Sequence, residues 1–228
     1  MAAPILVGRL PGGSTWAVAS RRAPGGNGRD GGVVHRVASA LGRQAWPVVK
    51  PHQVHSRSVV TAGQLTDGHS TDADAVICQR AQHVVGMVQA ADCAVIAIGG
   101  TNGAVAAVHA GWRGLCAGVV ESAAEALHAL GEDCLCAVVG PTIEACCYEF
   151  GNDDLDRVAA RCGDGVRALT REGRPALDMR AAALAALADA GVRTTRHLGG
   201  CTGCDRDWFS WRARGEAGRH VLLVAAGP

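Results

Sequence analysis

The chain has 228 residues, of which 48% are hydrophobic, and a formal charge of +1 from 22 basic and 21 acidic side chains. A chain of this length can bury roughly 70% of its unfolded surface in one core, so we expect a single domain over residues 1–228. The balanced and dispersed charge argues against nucleic acid or a membrane surface as a partner.

The first ten residues, MAAPILVGRL, contain too few apolar residues for a signal-peptide core. No later run approaches the ~18 apolar residues of a membrane span. We therefore expect a cytoplasmic protein, in which the ten cysteines are free thiols or metal ligands rather than disulfides. The oligomeric state is left open by the sequence.

Short apolar runs predict a series of strands, several of them apolar on both faces, as in sheets that are covered on two sides. In chain order these runs are Ile5–Val7, Trp16–Ala19, Ser58–Thr61, Ala75–Cys78, Val84–Val88, Ala94–Ile98, Val105–His109, Leu135–Val139 and His220–Ala225.

Helical patterns lie between these strands. The clearest runs from Leu115 to Leu130 along one apolar stripe, with Gly131 as its stop. An alanine-rich helix is predicted over Asp178–Ala190, with Asp178 as N-cap. Weaker patterns cover Val33–Leu41 and Asp153–Arg161, and the Gly-rich stretch Pro24–Gly32 indicates a surface loop. The order of the predicted strands and helices along the chain favours a mixed α/β (α+β) fold in which layered mixed β-sheets are flanked by helices.

Three residues of metal-ligand type, His55, Cys93 and His109, lie at strand edges in apolar surroundings. Two imidazoles and one thiolate suit a borderline metal such as zinc, and three protein ligands leave a fourth position for water or substrate. Because the three residues are 38 and 16 positions apart, spacing alone does not join them. Histidines that bind no metal remain the alternative interpretation.

Other polar residues near these positions could take part in catalysis or binding. Asp92 could orient a histidine or act as an acid or base, and Asp74 lies in a loop that enters a strand. The pair Cys201 and Cys204 has the spacing of redox and zinc motifs, but a lone CxxC is a weak indication.

Four stretches resemble the YfiH or laccase-domain family, also described as polyphenol-oxidase-like or purine nucleoside phosphorylase proteins. They are QVHSRSVV with DADAVIC, QAADCAVI, AVHAGWRG, and GPTIEACCYEF with CTGCDRDWFSWRARGEAGRH, in the family's order. The family's usual N-terminal motif is not recognisable in residues 11–32.

The resemblance implies a zinc site whose ligands are His55, Cys93 and His109, whereas His52 falls at a position where the family varies. It gives Asp74 a place near the site, and Ser210 and Arg212 match an element that packs near the substrate, so these three residues are candidates for binding substrate. Three further candidates for binding substrate lie in the matching stretches: Cys147, Tyr148 and Arg113.

The resemblance also implies phosphorolysis of purine nucleosides, including methylthioadenosine, and deamination of adenosine. Purine nucleosides and phosphate would then be the partners. Arg113, which follows His109-Ala110-Gly111-Trp112, is a candidate phosphate clamp because a guanidinium offers a planar bidentate fork.

Three alternatives stay open. Cys93 could be the nucleophile of a metal-independent cysteine hydrolase, with His109 or His55 as its base. Copper could oxidise phenols, although one three-ligand site is small for that chemistry, and copper could also occupy the site adventitiously. The fold could instead serve in quality control of peptidoglycan precursors.

Overall fold

The computed structural model describes residues 5–20, 23, 27, 29–65 and 71–228. The strands in this part of the chain are β1 Ile5–Arg9, β2 Thr15–Ala19, β3 Val48–Val49, β4 Val59–Thr61, β5 Ala75–Cys78, β6 Val85–Ala90, β7 Ala94–Gly99, β8 Val105–Ala110, β9 Cys136–Val139, β10 Arg167–Leu169, β11 Pro175–Leu177, β12 Arg193–His197 and β13 His220–Ala225. The helices are α1 Gly31–Ala40, α2 Trp112–Ala117, α3 Val119–Ala129, α4 Asn152–Cys162, α5 Met179–Asp189 and α6 Trp211–Arg214.

Two mixed sheets pack face to face and carry helices on their outer faces. The first has the strand order β1-β2-β13-β6-β3, and the second has the order β12-β9-β7-β8-β5-β4. Helix α1 packs on the outer face of the first sheet, and α2 to α5 pack on that of the second. The layered α/β fold predicted from the sequence is thus confirmed, as four successive layers.

The apolar strands owe their pattern to this arrangement. Every residue of β7, β8 and β13 is buried, because each of these strands has a layer on both sides. In β8, Ala107 faces the other sheet whereas Ala106 and Val108 face the helices. Alternation along the strand then places His109 on the face between the sheets, at the end of β8.

The predicted helices are present with one change. The segment from Leu115 to Leu130 is divided into α2 and α3 at Gly118, whose φ of 89° is left-handed. Glycine adopts that conformation without the steric cost that a Cβ would bring. Asp178 is the N-cap of α5, as predicted, and its side chain accepts a hydrogen bond from the backbone N–H of Ala181.

The structure differs from the sequence prediction in four strands, the short helix α6 and one loop. The unpredicted strands β3, β10, β11 and β12 are two to five residues long, and β12 is a largely polar edge strand. Gly31 and Gly32 open α1 rather than ending a loop, because Asp30 caps the helix through the N–H of Gly32. Residues 24–26 and 28 of that predicted loop lie outside the described residues.

None of the helices in the described ranges is both long and apolar enough to cross a membrane.

Candidate metal centre and cavity

The side chains of His55, Cys93 and His109 meet at the ends of β7 and β8. Their ligand atoms all lie within 4.8 Å of one another, and the Cys93 Sγ is 3.9 Å from the His55 Nε2. A tetrahedral zinc ion, with bonds of about 2.0 Å to nitrogen and 2.3 Å to sulfur, holds such atoms roughly 3.3 to 3.6 Å apart. A small contraction would therefore fit the three donors to one ion.

A buried carboxylate, that of Asp74, aligns two of these ligands. Its Oδ1 accepts hydrogen bonds from the His109 Nδ1 at 2.9 Å and from the backbone N–H of His55 at 3.0 Å. Its Oδ2 accepts from the backbone N–H of Val54 and from both the N–H and the hydroxyl of Ser56. Because the His109 Nδ1 donates to Asp74, the His109 Nε2 is left as the atom that can bind a metal.

The hydrogen bonds also set the charge of Asp74. Burial raises the pKa of this carboxyl, but the hydrogen bonds from His109 and Ser56 outweigh burial and lower the pKa to about 2. Asp74 is thus ionised at neutral pH, and both of its oxygens are then available as acceptors.

The backbone around the centre is specialised for close approach. His55 has a φ of 61°, a left-handed conformation that is uncommon for residues other than glycine and often marks a functional position. A Cβ at Gly111 would lie 2.6 Å from the His55 Cδ2 and 3.1 Å from the Cys93 Sγ. The glycine of the H-A-G-W-R-G motif therefore leaves room for two of the three candidate ligands.

Cys93 and His109 favour each other's charged forms. Burial raises the pKa of the Cys93 thiol, but the positive charge and hydrogen bond of His109, with help from His55, lower the pKa to about 6. Burial lowers the pKa of His109, but the Cys93 thiolate and Asp74 raise it. A thiolate is the form of cysteine that binds metal, whereas His109 would have to release its second proton from Nε2 before that atom could bind one.

Asp92, next to Cys93 in the chain, lines the same cavity as His55 and His109, but its carboxylate accepts hydrogen bonds from other groups. Its Oδ1 accepts hydrogen bonds from the hydroxyls of Thr202 and Ser210, and its Oδ2 accepts from the backbone N–H groups of Trp211 and Arg212, each at 2.6 to 2.8 Å. The carboxylate therefore fixes the start of α6 beside the site. At His109, the acceptor role that the sequence analysis offered to Asp92 is filled by Asp74.

A cavity of about 390 Å³ opens over the three candidate ligands, which is within the range of small-molecule sites. Four cationic side chains contribute to its lining: Arg29, Lys50, Arg212 and Arg219. Two aromatic side chains also line it. Tyr148 is buried, whereas Trp211 is 59% exposed at the mouth. The cavity thus offers apolar faces for a ring and positive charge for an anion.

Four candidates from the sequence lie outside the residues that line the cavity: Asp74, which is fully buried, Arg113, Cys147 and Ser210. The guanidinium of Arg113 stacks 4.3 Å from the centroid of the Trp112 ring, and the Ser210 hydroxyl caps α6 by accepting from the N–H of Ala213. Cys147 turns toward a group of thiols instead. His52, which does line the cavity, forms an exposed pair with Asp72.

Sequence reasoning missed the cations Arg29, Lys50 and Arg219, because they come from three distant segments with no shared motif. Of the three, Arg219 alone lies in a stretch that resembled the family, CTGCDRDWFSWRARGEAGRH. Gln53 was also missed. Its amide makes two hydrogen bonds with the backbone of Gln89 in β6, and this pairing fixes the segment that leads to His55.

The family model described as multi-copper polyphenol oxidoreductase laccase matches residues 33–227. The chain belongs to this family. A Mycobacterium tuberculosis protein named purine nucleoside phosphorylase is 32% identical over 191 residues, which cover 83% of this chain and 76% of that protein. A Streptomyces griseus protein of the same name is 36% identical over 190 residues, covering 81% and 76% of the two chains. The resemblance seen in the sequence motifs is thus confirmed.

Solved structures of this laccase-like family share the fold. A Neisseria meningitidis protein of the DUF152 family superposes with a TM-score of 0.81 at 27% identity, over 99% of this chain and all of the other. The Bacillus licheniformis protein YfiH superposes with a TM-score of 0.78 at 20% identity, over 93% and 92% of the two chains. The four-layer arrangement is therefore that of the family.

Proposed function

We propose that this protein is a zinc-dependent purine nucleoside phosphorylase that also cleaves methylthioadenosine and deaminates adenosine. The observation that carries the proposal is the cavity, in which a His-Cys-His donor set lies among four cationic side chains and two aromatic rings. The names of the Mycobacterium and Streptomyces relatives support the same substrate class.

His55, Cys93 and His109 would hold the zinc ion, and Asp74 would keep His109 in the tautomer that binds it. When bound, zinc would supply a Lewis acid that activates water and polarises the substrate. Zinc suits this site better than a multicopper centre does, because the described residues contain only two groups of potential ligands, and the other consists of four cysteines.

The cations are suited to phosphate. In phosphorolysis a phosphate oxygen forms a bond to the sugar anomeric carbon, while the bond from that carbon to the purine nitrogen breaks and its electron pair leaves with the purine. Arg212, Arg219 and Lys50 would hold the anionic phosphate against the sugar by charge-assisted hydrogen bonds. We assign the clamp to these residues rather than to Arg113, since Arg113 does not line the cavity.

The aromatic residues are suited to the base. Trp211 would stack on the purine at the cavity mouth, where it presents a large exposed face. Burial raises the pKa of the Tyr148 hydroxyl, so this group stays protonated and can donate a hydrogen bond to the departing base. Arg212 lies 4.8 Å from the centre of the Tyr148 ring, and this contact brings the phosphate and base ends of the cavity together.

The direct test is to incubate protein purified without chelator with adenosine and phosphate, and to follow ribose 1-phosphate, adenine and inosine. We expect the wild type to turn over adenosine. His109→Ala should lose this activity and should also bind one zinc ion fewer per chain. A folded His109→Ala protein that keeps full activity would contradict the proposal. Activity only on phenols with copper, or on peptidoglycan precursors, would favour the corresponding alternative.

One geometric feature favours a second candidate, a metal-independent cysteine hydrolase. Asp74, His109 and Cys93 form the acid-base-nucleophile order of a cysteine triad, with the Asp74 Oδ1 2.9 Å from the His109 Nδ1. This function requires a wild-type protein without zinc at these residues and rapid alkylation of Cys93 by iodoacetamide. Zinc that protects Cys93 from alkylation would exclude it.

A further inference from the structure

The structure assigns a second metal site, separate from the candidate catalytic centre: a single Zn²⁺ ion held by the thiolates of Cys146, Cys147, Cys201 and Cys204. The four sulfur atoms all lie within 4.8 Å of one another. The Cys204 Sγ is 3.4 Å from both the Cys146 and the Cys147 Sγ, and these two are 3.8 Å apart.

These distances match one tetrahedral ion. With a zinc–sulfur bond of about 2.3 Å, the sulfur atoms at the corners of a tetrahedron are roughly 3.8 Å apart. Disulfides do not explain the cluster, because a disulfide brings two sulfur atoms to about 2.05 Å and all four cysteines are free. In an iron–sulfur cluster, several irons and bridging sulfides would separate the thiolates further.

The two cysteine pairs are brought together by the fold rather than by sequence spacing. Cys146 and Cys147 lie in a short 3-10 helix, Ala145–Cys147, and Cys201 to Cys204 form a turn more than fifty residues later. A β-bridge between Thr142 and Cys201 aligns these segments, and the N–H of Thr202 donates to the carbonyl of Thr142.

Gly203 allows the close approach of the two segments. A Cβ at this position would lie 2.6 Å from the Cys147 Cβ and 2.9 Å from the Cys147 Sγ, which no side chain could tolerate without movement of the turn. The glycine between Cys201 and Cys204 therefore has a packing role that depends on the other cysteine pair.

Two of the four sulfur atoms, those of Cys201 and Cys204, accept hydrogen bonds from nitrogen donors. The backbone N–H of Glu144 donates to the Cys201 Sγ at 3.3 Å, and the Arg171 guanidinium donates to the Cys204 Sγ at 3.0 Å. Four thiolates around Zn²⁺ carry a net charge of −2, so a guanidinium beside them is favourable. Hydrogen bonds to coordinating sulfur also stabilise its charged form.

The site would stabilise one wall of the cavity. Tyr148 follows Cys147 directly, and the Thr202 hydroxyl donates to Asp92, which also binds the start of α6. The Arg214 guanidinium of α6 in turn donates to the carbonyls of Thr202 and Gly203. A bound ion would thus tie the Tyr148 segment to the segment that presents Trp211 and Arg212.

The test is zinc per chain by mass spectrometry of full-length protein purified without chelator. With both sites occupied, we expect two zinc ions in the wild type and one in Cys146→Ser/Cys204→Ser. The matched control Cys134→Ser/Cys162→Ser, which changes two cysteines outside both groups, should keep two. His55→Ala/His109→Ala should keep one, and its X-ray absorption should show only sulfur at about 2.3 Å.

The two sites can fail independently. One zinc in the wild type and none in Cys146→Ser/Cys204→Ser would support the four-cysteine site and contradict the zinc part of the proposed function. Equal zinc in the wild type and Cys146→Ser/Cys204→Ser would overturn the four-cysteine site. Nitrogen or oxygen ligands, iron, or no metal in His55→Ala/His109→Ala would also overturn it, and this measurement does not depend on the folding of the cysteine variant.

Discussion

Asp74→Asn tests how far one buried carboxylate organises the candidate metal centre. The substitution preserves shape but replaces one acceptor oxygen with an NH₂ donor. If the NH₂ takes the position of Oδ1, it meets the N–H of His55 and forces the His109 Nδ1 to become an acceptor, which places the proton on the Nε2 that should bind zinc. If it takes the position of Oδ2, it meets the donors of Val54 and Ser56.

Either orientation leaves at least one backbone N–H facing another donor in a fully buried position. Loss of a hydrogen bond to a charged group costs about 1.5 to 3 kcal/mol, so we expect the free energy of unfolding to fall by about 3 kcal/mol. Changes in groups that orient a metal-bound histidine typically weaken metal binding about 10- to 100-fold.

Two measurements check these values: zinc affinity by competition with a chromophoric chelator, and unfolding of the metal-free protein by urea. The matched control is Asp72→Asn. Asp72 also lies 2.8 Å from a histidine Nδ1, that of His52, but both side chains are more than 60% exposed. An exposed pair of this kind contributes about 0 to 1 kcal/mol, so Asp72→Asn should leave zinc affinity unchanged.

A pH series adds an independent check. Because the pKa of Asp74 is lowered to about 2 in the folded protein, its contribution to stability is present above the unfolded pKa near 4 and is lost as the pH falls toward 2. Asp74→Asn should remove this part of the acid sensitivity. Wild-type zinc affinity in Asp74→Asn, or equal losses in Asp72→Asn, would refute the assigned role of Asp74.

Two further predictions concern the cavity and acid stability. Arg212→Ala should lower kcat/KM for phosphate at least tenfold, as loss of a charge-assisted contact implies, while the exposed control Arg206→Ala should not change it. His220 is buried with no hydrogen-bond partner for either ring nitrogen among the described residues, and burial lowers its pKa to about 3. An unfolded histidine binds a proton below about pH 6.5, whereas the buried His220 does not, so wild-type stability should fall as the pH is lowered. Between pH 7 and 5 the free energy of unfolding, measured with urea, should fall by about 2 kcal/mol more in the wild type than in His220→Met. Equal decreases in the two proteins would contradict this.

The sequence predicted the interior of the fold well, for a physical reason. Strands such as β7 and β8 are buried on both faces, so their composition alone distinguishes them from loops. Edge strands lack that signal. β12 reads Arg-Thr-Thr-Arg-His and is held in place by parallel pairing with β9, an interaction that no local pattern encodes.

The candidate site was likewise predictable from the sequence only in part. Motifs around His55, Cys93 and His109 carried the family's ligand pattern, whereas the cations of the cavity and the four-cysteine group assemble from segments far apart in the chain. Cys201 and Cys204 alone were a weak indication because the partner pair follows a different strand. Only the β-bridge between Thr142 and Cys201 makes the spacing meaningful.

Two neighbouring segments use aspartates to position functional groups, and this limits the choice of a catalytic acid or base. All four oxygens of Asp74 and Asp92 accept hydrogen bonds, so proton transfer at either carboxyl would break contacts that hold a ligand or α6 in place. Asp92 as an acid or base stays a prediction, but the hydrogen bonds favour positioning. The protonated Tyr148 hydroxyl, which lies in the cavity wall, is the better candidate to donate a hydrogen bond to the purine of the proposed substrate.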